Sequence, residues 1–218
     1  MTTIILTVLT VISALLHMWG EYQGPDILIY IFKPLTMIFI IAIAVLAKDP
    51  PSRRYKNAIV AGLLFSLAGD IFLMLPMDLF IVGLLSFLIA QLIYTYAFRT
   101  GRPFRLNFLV LLPFALYGVI IFLILLAGLN GMEIPVAIYV IVILTMAWQA
   151  WDQWDNVRAG WALLAFIGAI LFVISDSILA LNRFWEPFVM ARALTLSTYY
   201  SAQWLIANSN YTQGVMET

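Results

Sequence analysis

The chain has 218 residues, of which 64% are apolar and 10% charged, and its mean hydropathy is +1.03. A soluble domain is about 45–50% apolar and about 25% charged, so the composition excludes one. The 11 acidic and 11 basic side chains leave no net field to attract nucleic acid, and no nucleic-acid motif is present.

Without cysteine there are no disulfides, thiolate nucleophiles or cysteine metal sites. A single histidine, His17, also argues against a protein zinc centre, which usually needs several histidine or cysteine ligands. No metal or cofactor is therefore expected.

Apolar runs broken by glycine, proline and charge predict eight membrane helices with short connections, over residues 2–19, 27–47, 57–75, 79–98, 106–127, 134–151, 159–181 and 188–207. The first begins Met1-Thr2-Thr3, with no basic n-region and no small-residue cleavage site after its apolar stretch, and reads as a retained helix rather than a signal peptide. On it Thr10, Ser13, His17 and Glu21 share a face. The second carries Lys33 followed by Pro34, which is expected to bend it. Ser66 lies one turn before Asp70 on the third, and Gln91, Tyr94 and Thr95 share a face of the fourth. In the seventh, Ser175 and Ser177 flank Asp176. In the eighth, Arg192, Thr195, Tyr199 and Gln203 form one stripe.

Basic residues set the expected orientation, because cytoplasmic loops retain lysine and arginine. The even connections hold Lys48, Arg53, Arg54, Lys56, Arg99, Arg102, Arg105 and Arg158, whereas the odd ones hold only Arg183. Both termini are thus expected in the cytoplasm, and the odd connections, with Glu21, Asp26, Asp78, Glu133 and Glu186, outside. A shift of 106 residues lays Gly62–Asp70 over Gly168–Asp176 and Tyr94 over Tyr200. This reads the single transmembrane domain, 1–218, as two parallel four-helix repeats, 1–105 and 106–218.

Four charges fall inside predicted spans: Lys33, Asp70, Asp176 and Arg192. Each costs about 2.5–3.5 kcal/mol at a helix centre, so such residues face a cavity or a partner. Counted along their helices, all four lie roughly 6–9 Å below the outer boundary. With the polar stripes they predict a cavity among helices, open toward the outer leaflet. The structural alternative is a set of ion pairs that fixes helix register. Two carboxyls of different proton affinity make an acid and a base. Serine acyl chemistry has no Gly-x-Ser-x-Gly and only one imidazole to draw on. Acid–base hydrolysis by two aspartates is the chemistry that these residues support. A proton-coupled transporter with a carboxylate site is the alternative, and intramembrane aspartyl proteolysis ranks behind both.

Several of these residues resemble the YhhN-type membrane proteins, which include the vertebrate lysoplasmalogenases. They are Lys33-Pro34-Leu35-Thr36; Gly62 to Asp70 with Leu73-Met74; Gly83-Leu84 with Phe87; Tyr94; Gly168 with Phe172; Ser175-Asp176 with Leu179; and Tyr199-Tyr200 with Gln203. Gln91 departs from the pattern, since many members have histidine there. The resemblance implies a membrane hydrolase that cleaves the vinyl-ether bond of lysoplasmalogens to a fatty aldehyde and a glycerophospho-alcohol. Vinyl-ether hydrolysis fits the residues already singled out: Asp70 and Asp176 are read as the acid–base pair, Lys33 and Arg192 as placed to bind the phosphate, and Tyr94, Tyr199, Tyr200, Gln203 and Ser66 as substrate-binding residues of the same site. A lysophospholipid substrate within membrane lipid is expected, in a multi-pass protein of the bacterial inner membrane.

Overall fold

A computed structural model describes residues 1–101 and 108–212. Arg102, Arg105 and the predicted boundary between the two repeats lie outside the described residues. The described chain is all helical: α1 (Thr2–Tyr22), α2 (Ile27–Val45), α3 (Arg53–Met74), α4 (Phe80–Arg99), α5 (Phe108–Leu125, continued by a 3₁₀ turn Leu126–Gly128), α6 (Glu133–Val157), α7 (Gly160–Phe184) and α8 (Ala191–Asn208).

Seven of these, α1 to α7, are long and apolar enough to cross a membrane. α8 is 18 residues long but carries Arg192, Thr195, Tyr199, Tyr200 and Gln203, and its polarity sets it apart from the other seven. The described residues thus form an eight-helix bundle of an integral membrane protein, with seven helices fit to span the bilayer and one polar for its length.

Local chemistry sets the helix ends. α3 starts at Ser52, whose Oγ accepts a hydrogen bond from the Tyr55 amide at 3.0 Å, satisfying one of the free donors of the first turn. α2 continues through Pro34 as one helix. α6 runs past the expected end at 151, because Asp152 and Asn156 still bond along the helix. It stops at Arg158, whose φ of 52° is left-handed.

Three pairs pack most extensively, α1 with α2, α3 with α4 and α7 with α8. α2 also meets α3 and α8, while α6 bridges α4 and α7; α5 touches chiefly α6. The core gathers Met37, Ile59, Leu63, Tyr94, Phe98, Met146, Phe172 and Ile206. Small residues let the helices approach, as is common where lipid supplies no hydrophobic drive. A Cβ on Gly62 would lie 2.3 Å from the Tyr94 ring, and one on Gly69 2.6 Å from the Phe87 ring.

The tightest approach is at Gly128, where a Cβ would lie 1.6 Å from the Phe184 carbonyl oxygen. Backbone cannot swing aside as a side chain can. Gly128→Ala should cost about 3 kcal/mol through overpacking, read as a lower thermal midpoint in detergent. An unchanged midpoint would show that this turn does not rest on Phe184.

Candidate active site

Asp70 sits near the C-terminal end of α3, 3% exposed. Its Oδ2 accepts from the Tyr199 hydroxyl of α8 at 2.5 Å, and Lys33 Nζ of α2 stands 3.9 Å from Oδ1. Asp176, half-buried on α7, has a parallel arrangement. Its Oδ2 accepts from the Tyr139 hydroxyl of α6 at 2.5 Å and from Gln91 Nε2 of α4 at 3.3 Å. A cation thus stands beside Asp70, whereas the donors on Asp176 are neutral.

Both aspartates line one cavity of about 590 Å³, together with Glu21, Lys33, Ser175, Asn182, Arg183, Arg192, Thr195 and Tyr199. The four charges that the sequence put at one depth therefore share one space. Arg192 donates to Glu21 Oε2 at 3.1 Å. The other oxygen of Glu21 lies 3.4 Å from His17 Nε2, and His17 Nδ1 bonds the Tyr200 hydroxyl at 2.8 Å. Arg183 reaches Asp78 at 3.7 Å and lies 3.7 Å over the Phe80 ring.

Four of the expected site residues lie behind the cavity wall. Tyr94 donates to Gln203 Oε1 at 2.8 Å, tying α4 to α8 in the buried interior. Ser66 is fully buried, and Tyr200 turns to His17 rather than to the cavity. Helical spacing marks the correct faces, but those faces continue below the floor of the cavity.

Two residues went unanticipated in these roles. Tyr139 stands alone on an otherwise apolar stretch, with no stripe to mark it; yet it follows Lys33 by the same 106 residues that separate the two aspartates. Arg183 reads as a loop residue, but α7 continues to Phe184 and keeps it on a helix face. His17, which shares a face of α1 with Thr10, Ser13 and Glu21, is fully buried within a polar chain to the cavity.

Asp176 also borders a second, apolar space, walled by residues of α4 to α7 such as Leu84, Ile121, Val140, Leu144 and Val173. Phe80, Phe87, Leu73 and Leu179 line both spaces. The Asp176 carboxyl is thus placed where a charged cavity meets an apolar slot. Among the described residues, no cluster of three or more histidine, aspartate or glutamate side chains is placed to hold a metal ion.

Eight packed helices, apolar outside and enclosing a cavity with two carboxylates, define a polytopic integral membrane protein with an internal polar site. Residues 28–210 match the YhhN family, and the chain belongs to it. It is 38% identical over 156 residues to lysoplasmalogenase TMEM86A of Bos taurus, covering 69% of this chain and 64% of that protein. Against lysoplasmalogenase TMEM86B of Homo sapiens the identity is 33% over 170 residues, 77% of this chain and 70% of the relative. The membrane protein YhhN of Escherichia coli O157:H7 is 28% identical over 202 residues, 92% of this chain and 95% of its own. No solved structure matches the chain significantly.

Proposed function

We propose that the protein hydrolyses the vinyl-ether bond of lysoplasmalogen-like lysolipids within the membrane, each predicted half supplying one aspartate. The observation that carries this reading is the position of Asp176 between a charged cavity and an apolar slot. In a lysoplasmalogen the vinyl ether joins the hydrocarbon chain to the glycerophosphate, so the labile bond lies at the same kind of junction. The named activities of the relatives point the same way, and nothing favours the transporter alternative.

The chemistry follows from the two carboxyl environments. Protonation of the alkene carbon away from oxygen gives an oxocarbenium ion, water adds to the cationic carbon, and the hemiacetal collapses to aldehyde and alcohol. One water is consumed and the proton is returned. Asp176, with neutral donors on one oxygen, is the proton donor. Asp70, beside Lys33, is the carboxylate that faces the developing cation and takes a proton from water, as paired carboxyls do in glycoside hydrolysis. Arg192 and Lys33 hold the phosphate. Tyr199 orients Asp70, while Tyr94, Gln203, Tyr200 and Ser66 support the wall from behind.

The test is product analysis with purified protein in detergent, using a lysoplasmalogen and an ester-linked lysolipid of the same headgroup and chain length. Aldehyde from the first and no fatty acid from the second is the expected result. Folded protein that releases no aldehyde would overturn the reading.

A further inference from the structure

The apolar slot beside Asp176 does not end at its own walls. A second apolar space of about 530 Å³ lies between α5, α6 and α7, and it shares Tyr117, Leu144 and Val173 with the first. The first is narrow, about 60 Å³, and the shared side chains make the two adjoining parts of one groove along α7. Along α7 its floor is Asp176, Val173, Ile170 and Phe166, a stripe at helical spacing. Its far end is closed by rings: Trp151 and Phe166 meet at 5.1 Å between centroids, Trp154 stacks on Phe166 at 5.8 Å, and Arg158 covers Trp154 at 4.9 Å. The outer wall is α5, the least buried of the apolar helices. It is pinned to α7 by the Tyr117 hydroxyl, which donates to Ser177 Oγ at 2.8 Å, next to Asp176.

We propose that this groove seats a single unbranched hydrocarbon chain and that the Trp151–Phe166 closure limits its length. This rests on the lysolipid reading above. From Asp176 to Phe166 the helix advances roughly 15 Å. An extended chain with bonds of about 1.5 Å and near-tetrahedral angles advances roughly 1.25 Å per carbon, so the groove takes about a dozen carbons. The occupant follows from continuity: the groove opens at its polar end onto the cavity that holds Lys33 and Arg192, and it is apolar from there onward. A chain anchored by a phosphate in the cavity has its hydrocarbon delivered to Tyr117.

Ile170 lies midway along the floor, roughly 9 Å from Asp176 or about seven carbons. Ile170→Trp should therefore lower kcat/KM at least about tenfold for lysoplasmalogens of about a dozen carbons, while leaving those of about six carbons within twofold. An equal loss at all lengths, or an unchanged length profile, would overturn the groove. A second measurement needs no turnover. Ester-linked lysolipids brominated either near the chain terminus or near the headgroup are titrated against tryptophan fluorescence in unbrominated detergent. Terminal bromines should quench strongly, and replacing both Trp151 and Trp154 by Phe should remove most of that quenching. Quenching that ignores bromine position or survives the double replacement would overturn the proposal. Position-dependent quenching without any aldehyde release would instead keep the groove and discard the vinyl-ether chemistry.

Discussion

Asp176→Asn lowers kcat for aldehyde release by about 10²–10⁴, the range for loss of a positioned general acid, with little change in KM. The asparagine amide keeps an oxygen for the Tyr139 and Gln91 donors, so the local hydrogen bonds survive while the transferable proton does not. Headgroup affinity is also spared, because Lys33 and Arg192 lie on other helices. Steady-state kinetics beside a thermal midpoint measures both. Turnover within a few-fold of the parent, in protein of unchanged midpoint, would remove Asp176 from the chemistry.

The second large effect is on stability. The side chains of Lys33 and Asp70 are 12% and 5% exposed, so each relies on the other for charge compensation. Lys33→Met should cost about 3 kcal/mol, since breaking a buried pair strands the remaining charge. Adding Asp70→Asn should return most of that stability without returning activity. The comparison is a double-mutant cycle read by thermal unfolding in detergent. A Lys33→Met variant as stable as the parent would show that Asp70 does not depend on the ammonium group.

Helix existence was legible because apolar runs of membrane length are hard to mistake; each of the eight expected segments overlaps an observed helix. Ends were less legible. The Asp152–Asn156 stretch stops an apolarity window, yet its side chains and backbone continue the helix. Depth along a span also identified the cavity set: Lys33, Asp70, Asp176 and Arg192 share one layer in sequence and one cavity in space. What sequence spacing could not provide was the inner boundary of that cavity, so Tyr94 and Gln203 appeared to belong to it although they bond to each other behind it. Tyr139 escaped for the opposite reason. A lone tyrosine on an apolar helix carries no periodic signal, and only its offset from Lys33 marks it. Lys33 stands beside Asp70 and Tyr139 beside Asp176.

The polarity of α8 bears on how the protein is assembled. A segment with an arginine, a glutamine and several hydroxyls partitions poorly into lipid alone. Packed on α7, α2 and α1 it has somewhere to put them: Arg192 meets Glu21, Tyr199 meets Asp70 and Gln203 meets Tyr94. Those contacts come from helices that precede it in the chain. A chain arrested before α8 would leave Asp70 without its tyrosine and the cavity without a wall, so docking of α8 completes the cavity. Substitutions at the two buried contacts, Tyr199 with Asp70 and Gln203 with Tyr94, should therefore appear first as faulty insertion, before any catalytic deficit can be measured.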